Sequence, residues 1–201
     1  MVDIIKYGDF KPVGKQKKKH QIILSHTSRN IENYLQCLKF RYNGKNPKVP
    51  NYIITKEGKI LNLLSNTEHS KFLSETNVNR NSVVIVLENL GWLQKEPLKD
   101  YYVNWIGDIY KGNVFEKKWR DYFFWEPYTE KQIDSTVILC KMLFNELGIK
   151  NNVIGHNTRI NGIEKFEGVV TKSNFDSNFT DVSPAFNFEK FLKKIEDEQL
   201  T

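Results

Sequence analysis

The sequence predicts an α/β fold in which a mixed central β-sheet is flanked by helices and carries an aromatic-rich insertion. Three observations lead there. Short aliphatic runs stop abruptly at polar residues, as buried strands do. Between them lie capped stretches with apolar residues at helical spacing, and all four tryptophans crowd into residues 91–128.

Residues 1–19 read as an irregular N-terminal arm, with Pro12 and Gly14 as breakers, ahead of a single domain spanning 20–201. The first strand is Ile22-Ile-Leu-Ser25, ending in His26 and Thr27. Thr27-Ser28 then caps a helix over 29–42, with Ile31, Tyr34, Leu35 and Leu38 on one face and Asn43-Gly44 as the stop. Residues 52–64 predict a hairpin turning at Glu57-Gly58, with Ile60 and Leu63 inward. Ser82-Val-Val-Ile-Val-Leu-Glu88-Asn89 is the most strongly β stretch, and its unbroken aliphatics predict a central strand buried on both faces.

The insertion, 91–128, interleaves Trp92, Trp105, Trp119 and Trp125 with Lys117, Lys118 and Arg120. Such a mixture stacks on sugars or bases, or builds a satellite core. Thr129-Glu-Lys-Gln132 is a capping box opening an amphipathic helix closed by Gly148. That helix leads into a second apolar run, Val153-Ile154-Gly155-His156. Residues 159–180 predict a long irregular loop, and a last helix runs from Pro184 to Glu196 with Ser183 as its cap.

A chain of 201 residues with 39% hydrophobic content can bury one full core. Its formal net charge of +6 predicts an anionic partner: nucleic acid, a membrane surface or an acidic wall polymer. The Lys15 to Lys19 run reads as a solvated loop face. Cys37 and Cys140 make neither a disulfide framework nor a thiolate zinc site, and each falls in a helical segment as a small core residue. The start shows no basic region followed by a long apolar core, so no signal peptide is expected, and no run reaches membrane-span length.

Two histidines, His26 and His156, each follow a short apolar run. Neutral imidazole is the commonest protein ligand for transition metals, so two strand-end histidines on one sheet could share an ion. A hydrogen-bonded structural role is the alternative for each. Their separation gives no local ligand spacing, and the residues alone leave a third ligand open.

Taken in order, Ile23-Leu24-Ser25-His26-Thr27, Asn51-Tyr52-Ile53-Ile54 through Gly58-Lys59-Ile60, Thr67-Glu-His69, Ser82 to Asn89, Tyr128-Thr129 with Gln132, Gly155-His156 and Asp181-Val-Ser-Pro184 form a pattern. It resembles the zinc-dependent N-acetylmuramoyl-L-alanine amidases that share a fold with the peptidoglycan recognition proteins, over about four fifths of the chain. The resemblance implies a Zn2+ cofactor held by His26, His156 and Asp181, with a fourth position open for water. It implies hydrolysis of the amide joining N-acetylmuramic acid to L-alanine, of the phage endolysin type: made in the cytoplasm and acting on the cell wall after release. Where many relatives carry a catalytic glutamate, lysine or tyrosine, this chain has Val86, Phe179 and Pro50. Glu88, on the face of Val86 by strand alternation, is then the substitute catalytic base, and Tyr52 and His69 are the candidate substrate-binding residues. The expected partner is peptidoglycan, with neither nucleic acid nor membrane. The competing reading is a muropeptide-binding module of the same fold that does not cut, and a more distant one is a nucleic-acid-binding protein whose affinity would fall steeply with salt.

Overall fold

The computed structural model describes residues 3–197; residues 1–2 and 198–201, the outer ends of the expected arm and domain, lie outside the described residues. The expected arm is not irregular. It supplies β1 (Ile4–Lys6), parallel to a hairpin strand, and β2 (Gly14–Lys15). β3 (Gln21–His26) is wholly buried, and α1 (Ile31–Phe40) follows it. The cap of α1 is Asn30, whose side chain accepts from the Asn33 N–H, and not Thr27 or Ser28. The Thr27 hydroxyl is already committed to Arg29 and Asn89, and Ser28 sits in the left-handed region at φ 57°.

β4 (Tyr52–Ile54) and β5 (Ile60–Asn62) form the expected antiparallel hairpin, with Gly58 at φ 82° in its turn. A short β6 (Glu68–His69) pairs with β2, and α2 (Thr76–Asn81) leads into β7 (Ser82–Leu87), buried at every residue. The insertion folds as five antiparallel strands: β8 (Trp92–Lys95), β9 (Tyr102–Val103), β10 (Ile109–Tyr110), β11 (Phe115–Trp119) and β12 (Tyr122–Trp125). Its aromatics pack on one another, Trp92 stacking on Tyr122 at 4.4 Å and Trp119 meeting Trp125 at 5.5 Å.

α3 (Glu130–Leu147) opens on the predicted Thr129/Gln132 capping box and closes on Gly148 in the left-handed conformation. β13 (Gly168–Thr171) then lies inside the stretch predicted as loop, while 151–156 contributes only an isolated bridge from Val153 to Val169. α4 (Phe188–Glu196) starts later than Pro184, capped by Asn187.

The central sheet has the order β1-β5-β4-β7-β3-β13, parallel except for the hairpin. Strand alternation sorts its side chains into two layers. Ile22, Leu24, Ile54, Ile85 and Leu87 pack against Ile133, Val137 and Cys140 of α3 and Phe191 of α4. On the opposite face Ile23, Val84, Val86 and Val170 pack with Phe72, Leu73 and Val78, and Leu38 of α1 covers Ile53 and Leu63 of the hairpin. Each such fully buried aliphatic contributes about 1.5–3 kcal/mol.

Lys19 is the exception to the solvated basic run. It is 2% exposed, its ammonium donating to the Arg80 carbonyl at 2.8 Å.

Candidate functional site

The parallel pairing of β13 with β3 sets Thr171 opposite Leu24, so the next step along both strands brings Lys172 alongside Ser25. Period-two alternation puts Ser25 on the face of Ile23 and Lys172 on the face of Val170, and both of those pack in the same layer. Asp181 closes over this pair. The Ser25 hydroxyl donates to Asp181 Oδ2, and Lys172 Nζ lies 3.3 Å from the same oxygen. Burial pushes the Asp181 carboxyl up, but the Lys172 ammonium, with His26 and the Ser25 hydroxyl, outweighs it and holds the group below the usual carboxylate value.

His26, one residue on, belongs to the opposite face of the strand, with Ile22 and Leu24. Its Nδ1 is 2.9 Å from the Tyr128 hydroxyl, which also accepts from the Ser183 N–H at 3.2 Å. Its Nε2 is buried without a hydrogen-bond partner and faces Gly91, where an added Cβ would lie 3.0 Å away. Burial pulls the imidazole pKa down to about 4 against the opposing charge of Asp181, so His26 is neutral at pH 7. His156 is exposed, on the segment that bridges β13 from Val153 to Val169, its Nδ1 accepting from the Thr158 N–H at 3.2 Å. The structure brings His26 and Asp181 into one neighbourhood, while β13 lies between β3 and the His156 segment, and the three residues are not grouped to hold a metal.

The remaining expected residues lie elsewhere. Glu88 is 6% exposed and anchors the hairpin turn, its carboxylate accepting from the Lys56 N–H at 3.0 Å, and burial raises its pKa. Tyr52 is packed in the core on the α3 side and donates to Asn66 Oδ1 at 2.6 Å. His69 backs onto Gly14 of β2, whose added Cβ would come within 2.8 Å of Nε2. None of these three lines the cleft over Asp181.

That cleft encloses about 700 Å³ and is bordered by β3, α1, the 71–79 segment, Trp105 of the insertion and Phe179. Arg29, Arg41, Lys48, Lys71 and Lys172 line it, and among the described residues no carboxylate does. The charge of its lining is therefore positive.

The residues present do not fit a resident zinc ion. Among the described residues no three His, Cys, Asp or Glu side chains are grouped to hold a metal. The carboxylate that would have to serve already carries an ammonium 3.3 Å from Oδ2, whose charge opposes a second cation beside it. Sequence reasoning missed Ser25 and Lys172. A signal was present: Gly168-Val-Val-Thr-Lys172 repeats the aliphatic-run-then-polar design of Ile22-Ile-Leu-Ser25-His26.

Residues 15–167 match the family model described as N-acetylmuramoyl-L-alanine amidase, and the chain belongs to that family. No curated protein sequence matches it. Among solved structures it is similar to the N-acetylmuramoyl-L-alanine amidase LysC from Clostridium intestinale URNW, with TM-score 0.58 and 15% identity, covering 97% of this chain and 98% of that one. It is similar to AmiD from E. coli, an N-acetylmuramyl-L-alanine amidase solved with the substrate anhydro-N-acetylmuramic acid-L-Ala-D-gamma-Glu-L-Lys, with TM-score 0.56, 16% identity and coverage of 90% and 59%. Drosophila peptidoglycan recognition protein SD is similar at TM-score 0.53 and 11% identity, with coverage of 93% and 92%. The fold is thus the one shared by these amidases and peptidoglycan recognition proteins, as the sequence led us to expect.

Proposed function

We propose that this chain is a peptidoglycan-binding member of the amidase family that holds a muropeptide in the cleft over Asp181 without a catalytic metal. The single observation that carries this reading is the occupation of the Asp181 carboxylate by the Lys172 ammonium and the Ser25 hydroxyl. Both contacts fall on Oδ2, and the ammonium neutralises within the protein the charge that would draw a cation. The cationic lining complements the free carboxylates of a stem peptide, and AmiD, of the same fold, is a structure with such a ligand. Among the described residues no helix is long and apolar enough to cross a membrane.

A second reading, the zinc amidase with His26, His156 and Asp181 as ligands and Glu88 as base, is favoured by one observation. The buried Nε2 of His26 has no partner. One experiment separates the two. Purified protein is assayed for zinc by elemental analysis, for co-sedimentation with insoluble peptidoglycan, and for release of new N-terminal alanine. Co-sedimentation unaffected by a chelator, with neither bound zinc nor alanine release, is the expected result. About one zinc per chain, lost in His26→Ala, His156→Ala and Asp181→Ala and accompanied by alanine release, would establish the hydrolase instead.

A further inference from the structure

The mouth of the cleft carries two exposed aromatic rings, each backed by an arginine. Trp105 is 51% exposed, with the Arg29 guanidinium 5.1 Å from its ring centroid. Tyr42 is 60% exposed, with the Arg41 guanidinium at 5.3 Å. All four residues line the cleft. Two aromatic rings on the lining of one cleft, each with a cation on one face, keep the other face for a ligand.

The Trp105 ring is held in place before any ligand arrives. Its Nε1 donates to the Ser28 carbonyl at 2.8 Å, and Asn104 Nδ2 donates to the same oxygen at 3.2 Å. Ser28 presents that carbonyl from a left-handed backbone at φ 57°. Arg29 is fixed in turn by donation to Cys37 Sγ at 2.8 Å. Asp108 ties the tip of the insertion to α1, accepting from Asn33 Nδ2 at 3.2 Å. Trp105, in the connection between β9 and β10, is thereby held at the rim of the cleft. A fixed ring loses little entropy on stacking.

We propose that Trp105 and Tyr42 form a saccharide subsite, stacking the C–H faces of the sugar rings of a glycan strand while the attached peptide runs inward toward Lys172. This rests on the muropeptide-binding reading above, and it names the part of the ligand that the insertion recognises. The amphipathic face of a hexopyranose suits an indole, and Arg29, Arg41 and Asn46 around the rings supply partners for its hydroxyls.

The test is calorimetric titration with two ligands, a disaccharide-bearing muropeptide and the same stem peptide without sugars. Wild type is expected to bind the muropeptide more tightly. Trp105→Ala and Tyr42→Ala, each on its own element, should each weaken muropeptide binding about tenfold and leave stem-peptide binding unchanged, while Trp105→Phe keeps most of the affinity. Equal affinity of wild type for both ligands, or equal loss for both in the variants, would overturn the subsite while leaving muropeptide binding intact. Wild type that binds neither ligand overturns the function proposed above and the subsite with it. Thermal unfolding of each variant shows whether the insertion has kept its fold.

Discussion

Lys172 Nζ stands 3.3 Å from Asp181 Oδ2, the same carboxylate oxygen that accepts from the Ser25 hydroxyl. The carboxylate is 6% exposed and the lysine side chain 21%, so the pair is largely withdrawn from water. Removing one partner strands a buried charge, whereas removing both leaves none. Lys172→Met should therefore destabilise the fold by about 2 kcal/mol, discounted for the lysine's partial exposure. Adding Asp181→Asn should recover most of that loss. Chemical denaturation of the two single variants and the double variant closes the cycle, and additive losses would show that the pair is not coupled.

Gly168 decides whether β13, and with it Lys172, reaches the sheet. Its φ is +136°, and a Cβ built there would lie 2.2 Å from the backbone oxygen of Asn152, which cannot retreat as a flexible side chain could. Gly168→Ala is expected to cost about 3 kcal/mol or more. Gly162, at φ +78° with nothing within 4 Å, has only the conformational term, so Gly162→Ala should cost about 1 kcal/mol. Similar losses for the two, measured by urea unfolding, would refute this account of β13.

The layers of this fold were legible because the signals were redundant. The β7 run, the hairpin turn at Gly58 and the Thr129 capping box each combine pattern with a specific terminator, and all three form as read. The site was less legible for two physical reasons. Val153-Ile154-Gly155-His156 and Gly168-Val-Val-Thr171 are equally short, and a four-residue buried strand has no periodicity to separate it from a buried loop. Only the pairing partner decides, and β3 takes the second. The other reason is the period of two: a reading that stops at the most reactive side chain selects His26, while the residue sharing a face with Lys172 is Ser25, one step earlier. Glu88 follows the end of β7, where its carboxylate accepts from the Lys56 N–H in the hairpin turn, a position that strand alternation alone does not specify.

Lys19 gives the molecule a pH signature independent of the cleft. Its ammonium is enclosed, bonded to the Arg80 and Glu68 carbonyls at 2.8 and 3.4 Å, and burial pulls its pKa from 10.5 down to about 8. Below pH 8 the folded and unfolded chains both keep the proton, and this residue contributes no slope. Between pH 8 and 10.5 the unfolded lysine still binds a proton that the folded one has released, so stability rises with pH across that window. Tyr52 and Tyr110, pushed up to about 12 by burial, act in the opposite direction, because their unfolded counterparts ionise near 10. Cys140 opposes the lysine inside that window, because burial pushes its thiol up while the unfolded thiol ionises at about pH 8.5. Lys19 therefore shows as a difference: between pH 8 and about 9.5 wild type should gain about 1–2 kcal/mol relative to Lys19→Met. Urea unfolding at closely spaced pH values measures both. Parallel profiles for wild type and the methionine variant would mean that the enclosed ammonium keeps its proton throughout.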